Sequence, residues 1–280
     1  MSDSKKPTGF KSAIINTYSY LLLCVWPVTG LHAQVFSFPD QWGNAAVWGM
    51  GGVVLPETDS IGSVSLSGNL PYCVPGWTEG NLRVADGRGY SINVWGSSDE
   101  CLLLPEMRLD TRFPEAFGRI GLAVGVGALA ITWHPLDSLR VFPLLMLQAW
   151  ADWDCACLGF RSFNALLPRR RGVDLASSVE TFLVYKVSEH FRLAATLSGQ
   201  SGSPVWLRAG MEYGIRRLDT SLPKGSWRLR LGGSGLTDGT SFRPAAGLGY
   251  SRQRWRCDVA ASVGARLPCS VASTFTWLIA

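Results

Sequence analysis

The most constraining feature of this sequence is an alternation of side chains with a period of two. In residues 120–133, IGLAVGVGALAITW, the even positions up to 126 carry Ile, Leu, Val and Val, and the odd positions 121–127 carry Gly, Ala, Gly and Gly. A helix gains nothing from this split and is destabilised by the glycines. Successive side chains of a strand point to opposite faces. The segment therefore predicts a β-strand with one bulky face and one small face.

The same alternation recurs through the second half of the chain. It is found in residues 191–198, 207–215, 227–231 and 255–267, and in a last segment that ends at Ile279. Short turn signals such as Ser188-Glu189-His190 separate these segments. Counting from Gly89 gives ten to twelve strands, and adding Val47–Leu55 and Ile61–Leu66 gives twelve to fourteen. We therefore predict an all-β, antiparallel fold.

Alternation alone fits both a membrane barrel, with apolar residues outside, and a soluble exported β-sandwich, with apolar residues inside. Charged residues are only 17% of the chain, against about 25% in ordinary soluble domains. Several segments are long enough to cross a bilayer as tilted strands. Aromatic residues recur near segment ends, as in the aromatic belts of membrane proteins: Trp95, Trp133, Trp150, Trp206, Trp227, Tyr250, Trp255 and Trp277. These features favour a transmembrane β-barrel of about twelve to fourteen strands, and the sandwich is the alternative.

The N-terminus has the layout of a secretory signal peptide. Three lysines precede a largely apolar stretch over residues 13–28, and Ala33 offers a small residue at the cleavage position. We therefore expect residues 1–33 to be removed, with an uncleaved N-terminal anchor as the alternative. Residues 34–280 then form a single barrel domain, located in the outer membrane. After the signal, no apolar run of 18 or more residues predicts a transmembrane helix.

The residues that could carry chemistry are few and scattered. Six cysteines follow the signal, an even number that permits disulfides, although the favoured interpretation is that they are small apolar residues filling a barrel wall. No second paired cysteine motif accompanies Cys155-x-Cys157, and the chain has three histidines, so no metal is expected. Nucleophile elbows, phosphate-binding loops and metalloprotease motifs do not occur. The sequence predicts a non-enzymatic protein without a cofactor.

A set of charged residues lies on the strand faces opposite the apolar ones. We expect these residues to line the lumen: Arg192, Arg208, Glu212, Arg228, Arg230, Arg256, Asp258 and Arg266. They could form an anion-selective lumen, or a salt-bridged network that closes a narrow barrel. The glycines and alanines beside them favour a filled interior. The basic residues are dispersed along strands, so a nucleic-acid partner is not expected.

A Gly-rich segment over residues 43–54 precedes the alternating strands. Its residues Gly49, Met50, Gly51 and Gly52 are followed by Asp59 and then by Asn69-Leu70-Pro71. This arrangement resembles the opening of the FadL-like and PorV/PorQ-like outer-membrane barrels, where a Met-Gly-Gly segment leads to an Asp-containing turn and an Asn-Pro-Ala element. The resemblance covers residues 43–71, and here the proline stands one position later. It implies an N-terminal segment that packs at the lumen or mouth of the barrel.

The resemblance also implies a function. Members of these families either move hydrophobic compounds inward or act as components of type IX secretion. We therefore expect the partners of this chain to be membrane lipid and either a small hydrophobic solute or secretion-machinery subunits. A closed structural barrel and a soluble exported β-sandwich that binds a ligand are the alternatives.

Overall fold

The computed structural model describes residues 45–50, 52, 62–70, 79–97, 100–112, 118–133, 138–164, 177–200, 204–215, 225–237, 239, 241–264 and 269–279. The predicted signal peptide lies outside these residues, so it stays a prediction. Within them the chain forms one short helix and fourteen strands.

The helix, α1, covers Ala45–Gly49 and precedes all of the strands. The strands are β1 Gly62–Leu70, β2 Glu79–Ala85, β3 Tyr90–Gly96, β4 Glu100–Arg112, β5 Arg119–Trp133, β6 Ser138–Asp152, β7 Ala156–Phe163, β8 Ser178–Lys186, β9 Phe191–Gln200, β10 Trp206–Gly214, β11 Ser226–Leu236, β12 Phe242–Arg252, β13 Trp255–Ser262 and β14 Ser270–Ile279.

The fourteen strands form one closed antiparallel barrel. Each strand pairs with its neighbours in sequence, and β14 pairs with β1 from Gly62 opposite Ile279 to Leu70 opposite Val271. Closure leaves no unpaired sheet edge, which is what a β-structure needs in a lipid environment. The predicted antiparallel barrel is thereby confirmed, and the sandwich alternative is wrong because the sheet closes on itself.

The Gly-rich segment corrects one strand prediction. Residues 47–55 were expected to form a strand, but residues 45–49 are helical, and they contact β11 to β14 without joining the sheet. A strand needs a neighbour with which to pair, and the barrel closes through β1 and β14 instead. The helical turn satisfies backbone groups within the segment itself, because the N–H groups of Met50 and Gly52 both donate to the carbonyl of Val47.

The period of two places apolar residues on the outer surface. On β5, Leu122, Val124 and Val126 are 52%, 41% and 63% exposed, whereas Ala123 between them is 7% exposed. The same pattern holds on the outer faces of β10, β11 and β14. A continuous apolar exterior on a closed barrel is stable against lipid chains but not against water. The predicted outer-membrane location agrees with this exterior.

Outward aromatic side chains gather near one end of the barrel, which we call the terminal end because β1 begins and β14 finishes there. They include Tyr90, Tyr185, Tyr213, Trp227 and Trp277, which are 45–61% exposed. Tyr250 joins this group through ring contacts at 4.7 Å to Trp227 and 5.4 Å to Trp255. Such a belt is typical of the membrane–water interface, where an aromatic ring has one apolar and one polar surrounding.

Two of the predicted belt residues lie elsewhere. Trp95 and Trp150 are each 4% exposed and point into the barrel. Trp95 is on the same strand face as Ser91, opposite Ile92, so the alternation of β3 places it inside. The side chain of Trp133 is outside the described part of the chain. Among the helices of the described ranges, none is long and apolar enough to cross a membrane.

Candidate functional site

The inner surface of the barrel has an apolar side, which we call the apolar wall. It consists of buried side chains from β3 to β9: Trp95, Leu102, Leu104, Ala123, Leu129, Leu144, Met146, Trp150, Cys157, Phe163, Phe182, Val184 and Ala194. Water-filled barrels ordinarily have a polar interior. An extended apolar surface inside this barrel is therefore a feature that its function or its stability must explain.

Large and small residues of the apolar wall are complementary between neighbouring strands. A Cβ added at Gly125 of β5 would lie 3.0 Å from Leu104 and 3.3 Å from Met146, and one at Gly159 of β7 would lie 2.5 Å from Phe182. The small inner face that the sequence predicts for β5 is therefore correct. It does not leave an empty lumen there, because the bulky residues of β4, β6 and β8 fill the space above it.

The sequence reasoning missed the apolar wall. β6 reads SLRVFPLLMLQAWAD and is apolar on both of its faces. A strand with two apolar faces gives no alternation from which to assign the inward one. Its signal was instead the apolar run itself, which is typical of a strand that is buried on both sides.

The other side of the inner surface is charged, and its centre is Glu212 on β10. The side chain of Glu212 is 0% exposed, and its Oε2 accepts from Arg230 Nε at 2.5 Å. Its Oε1 lies 2.8 Å from Arg192 Nη2 and 4.0 Å from Arg228 Nη1. The barrel register produces this cluster, because Glu212 stands directly opposite Arg192 on β9 and opposite Arg230 on β11.

Asp258 on β13 extends this cluster along the wall. Its Oδ1 accepts from Arg230 Nη1 at 2.6 Å, and its Oδ2 accepts from Arg256 Nε at 2.6 Å. Arg230 therefore bridges two carboxylates while its own side chain is 0% exposed. We call this set of six residues, built on Glu212 and Asp258, the Glu212 network. Removing one member of such a buried network leaves an uncompensated charge, which is strongly destabilising.

A second, smaller group of charges surrounds Glu180 on β8. Its Oε2 accepts from Arg161 Nη2 at 2.6 Å and Nε at 2.8 Å, and its Oε1 accepts from Arg208 Nη1 at 3.1 Å. Both guanidiniums thus stabilise one buried carboxylate. The sequence reasoning included Arg208 but missed Arg161 and Glu180. Strand β8 is buried at alternate positions but has apolar residues on both faces, so its sequence does not reveal that Glu180 points inward.

The structure brings most of the predicted lumen residues together. Arg192, Glu212, Arg228, Arg230, Arg256 and Asp258 form the Glu212 network, and Arg208 belongs to the Glu180 group. Arg266 lies outside the described residues, so its position in the lumen stays a prediction.

Helix α1 lies inside the barrel, on a groove of small residues between β10 and β14. The N–H of Ala45 donates to Thr274 Oγ1 at 2.7 Å, and Ala45 packs against Ala260 and Ala272. A Cβ added at Gly49 would lie 2.8 Å from the Cα of Gly247. The glycines and alanines beside the inward charges therefore accommodate the N-terminal segment, which agrees with the predicted packing of this segment in the lumen.

The Met-Gly-Gly motif continues this contact across the charged side. Met50 is 0% exposed and lies directly against Gly210, which leaves no room for a larger residue there. Gly52 has φ of +83°, which glycine adopts readily, and its Cα lies near the side chain of Arg208. Gly49, Met50 and Gly52 are thus placed in the lumen, whereas Gly51 and Asp59 lie outside the described residues.

The last part of the motif is not at the helix. Asn69 is on β1, where its Nδ2 donates to Glu79 Oε2 of β2 at 3.0 Å, and Pro71 is outside the described ranges. Asn69 belongs instead to a polar strip of the inner surface on β14, β1 and β2. Hydroxyl pairs connect this strip, with Ser65 to Thr276 and Ser67 to Thr274 both at 2.9 Å.

The described residues contain no group of three or more His, Cys, Asp or Glu side chains that could hold a metal ion. In those residues Cys101, Cys155, Cys157, Cys257 and Cys269 are free thiols, and Cys73 lies outside them. The carboxylates of Glu180, Glu212 and Asp258 are bound by arginines, whereas Glu79 accepts from Asn69 and Glu106 accepts from Ser91 and Asn93. The ion pairs stabilise the wall electrostatically, and the arginines of these pairs can attract anions.

Comparison with known proteins adds to this geometry. No protein-family model and no curated protein sequence matches the chain, so the resemblance to FadL-like and PorV/PorQ-like barrels has no family match. Among solved structures, the CymD monoaromatic hydrocarbon channel is 9% identical, with a TM-score of 0.50 over 87% of this chain and 99% of that chain. This chain has the fold of an outer-membrane β-barrel.

Two further solved barrels are similar at a lower level. The outer membrane protein Omp33 of Acinetobacter baumannii is 9% identical, with a TM-score of 0.49 over 78% of this chain and 98% of that chain. The KdgM porin is 8% identical, with a TM-score of 0.40 over 78% of this chain and 99% of that chain.

Proposed function

We propose that this barrel carries small, largely hydrophobic solutes across the outer membrane. The observation that carries the proposal is the apolar wall, because it places aromatic and aliphatic side chains inside a barrel whose outer surface is already apolar. A water-filled channel for polar solutes is ordinarily lined by polar side chains. An apolar solute, in contrast, is stabilised when it leaves water for such a surface, and it would reach these packed side chains by displacing them from one another.

The wall also contains aromatic rings that suit a planar apolar ligand. Trp95, Trp150, Phe163 and Phe182 contribute rings, and the guanidiniums of Arg108 and Arg161 lie 5.1 Å from the ring centroids of Trp150 and Phe163, respectively. These cation–π contacts hold two of the rings in fixed positions. The described solute of the CymD channel, a monoaromatic hydrocarbon, belongs to the same class.

Entry of an uncharged hydrophobic fluorophore, such as N-phenylnaphthylamine, into cells that express the barrel tests the proposal. Two methionines make a matched pair: Met146 is 2% exposed on the apolar wall, and Met107 is 40% exposed on the outer surface. We expect Met146→Gln to slow dye entry about tenfold, because it places a polar amide on the apolar surface that the dye contacts. A tenfold change corresponds to about 1.4 kcal/mol, within the range for an unpaired buried amide. Met107→Gln should leave the rate nearly unchanged. Dye entry equal to that of cells without the barrel would contradict the proposal.

A closed structural barrel is the second candidate, and the burial of the Glu212 network favours it. Arg230, Glu212 and Asp258 are 0–2% exposed, and helix α1 packs directly against this side. A barrel filled in this way would pass no solute in any variant. The prediction of a secretion-machinery component rests on the sequence resemblance, and co-purification with secretion subunits from the native envelope is its test.

A further inference from the structure

The arginines of the Glu212 network and its carboxylates differ in how far they reach into the lumen. The carboxylates of Glu212 and Asp258 have side-chain exposures of 0% and 1%. Arg192 and Arg256 are 22% and 27% exposed, and Arg228 is 11% exposed. The acidic groups therefore lie against the wall, and the basic groups cover them on the lumen side. A solute in the lumen meets guanidinium groups first.

The network also carries more positive than negative charge. Four arginines surround two carboxylates, namely Arg192, Arg228, Arg230 and Arg256 around Glu212 and Asp258. Arg230 is held between the two carboxylates and is 0% exposed, so the positive charge with exposed surface is on the other three arginines. Arg228 lies 4.0 Å from the carboxylate of Glu212 and within electrostatic range of Arg256, Arg192 and Arg230. Like charges at this spacing repel one another, and a bound anion would relieve that repulsion.

These three arginines occupy one level of the barrel. Arg192 is the second residue of β9, Arg228 the third of β11 and Arg256 the second of β13, and all three strands begin at the terminal end. Lys186, the last residue of β8, stands opposite Arg192 in the register and adds a further basic residue at this level. Helix α1 packs farther from the terminal end, against Gly247 and Gly210. The basic residues therefore lie between helix α1 and the terminal end.

The Nη2 of Arg192 lies 2.8 Å from Glu212, and 22% of the Arg192 side chain is exposed. Its Nε–H is buried and has no acceptor among the described residues, so it is not the donor that an anion would reach. A guanidinium carries five N–H donors, and those on its exposed side can bind an anion in the lumen.

We propose that Arg192, Arg228 and Arg256 form an anion-binding vestibule that makes the barrel select anions over cations. The ligand class is small monovalent anions, with carboxylates the closest geometric match to guanidinium groups. This inference deepens the proposed function and rests on it, since selectivity requires a solute path through the lumen.

The reversal potential in a planar bilayer with a tenfold KCl gradient tests the vestibule, with chloride as the probe. We expect the unmodified barrel to be anion-selective. The Arg192→Gln, Arg256→Gln double variant should lower the chloride-to-potassium permeability ratio by about threefold per charge, the factor for a unit charge at about 7 Å in water. Arg192→Glu with Arg256→Glu should reverse the sign of the potential.

The matched control is Arg252→Gln with Arg254→Gln, which removes the same charge from the exposed turn between β12 and β13. The control should keep nearly all of the anion preference. Heat-modifiable migration on a gel shows that each variant still forms the barrel, and Arg192 and Arg256 are chosen because neither is fully buried.

The outcomes separate the two proposals. Conductance without anion preference, or a preference that the arginine substitutions leave unchanged, overturns the vestibule and leaves passage of solutes standing. Absence of conductance in every variant argues for a closed barrel, and binding of chloride is then decided by the ³⁵Cl line width of the detergent-solubilised protein. If the unmodified protein broadens the ³⁵Cl line and the double arginine variant does not, the anion site is supported. If both proteins broaden the line equally, the anion site is overturned.

Discussion

The apolar wall and the centre of the Glu212 network are equally buried, yet different forces hold them. Phe182 and Leu144 on the apolar wall are 1% exposed, and Arg230 and Glu212 on the charged side are 1% and 0% exposed. Each apolar side chain contributes in proportion to the surface and volume that it fills. Each charged group is stable only while its partners are present. Substitutions on the apolar side should therefore lower the stability in proportion to the atoms removed. On the charged side, a single substitution should lower the stability strongly.

The largest effect is expected from Glu212→Gln, which keeps the shape of the side chain and removes its charge. Arg192, Arg228 and Arg230 would then lose their shared carboxylate inside the barrel. We expect the free energy of unfolding, measured by urea titration in lipid vesicles, to fall by about 4 kcal/mol. Glu189→Gln, in an exposed turn, is the control and should change it by less than about 0.5 kcal/mol. Equal effects of the two substitutions would show that the network contributes nothing.

On the apolar wall, Leu144→Ala should lower the free energy of unfolding by less than Glu212→Gln does. Truncation leaves a cavity among tightly packed neighbours, and we expect a loss of about 3 kcal/mol in the same titration. Leu122→Ala, at a position 52% exposed on the outer surface, should cost clearly less because lipid chains fill the vacated space. A loss at Leu122 as large as that at Leu144 would mean that the inner side chains are not packed as described.

The smallest effect concerns helix α1, which lies between the two sides. Gly210→Ala places a methyl group against Met50, and overpacking of this kind costs about 2 kcal/mol when the neighbour cannot yield. Because the short helix can move, we expect its displacement to absorb most of this cost. The observable result is faster proteolysis within residues 45–52. Gly199→Ala, where an added Cβ meets nothing within 4 Å, should leave the proteolysis rate unchanged.

Sequence reasoning could predict the fold because a barrel wall in lipid needs one apolar face on every strand. In strands such as β5 and β10, bulky apolar residues alternate clearly with small or polar ones, so this face is evident from the sequence. It could also predict all six members of the Glu212 network, since charged residues that alternate with apolar ones must lie on the other face. The pairing of Glu212 with Arg192 and Arg230 depends on strand register, which turn lengths and packing decide and which single strands do not reveal.

The apolar wall and helix α1 could not be predicted in the same way. On β6 both faces are apolar, so the sequence does not show which face points inward, and the inward position of Trp150 could not be assigned. The segment around Val47 has strand-like composition, but it has no strand with which to pair, and its place on Gly210 and Gly247 follows from the space that those glycines leave. Both features arise from tertiary packing, which outweighs local preference.

The central claim is that one face of each strand meets lipid and the other faces the enclosed lumen. Neighbouring residues of β1 test it directly: Leu66 is 61% exposed on the outer surface, and Ser67 is hydrogen-bonded to Thr274 on the inner surface. Nitroxide labels are attached to Leu66→Cys and Ser67→Cys in a background without native cysteines, and relaxation by dissolved oxygen, which concentrates in lipid, is measured. We predict high oxygen accessibility at position 66 and low accessibility at position 67. Equal accessibility at the two positions would contradict the barrel described here.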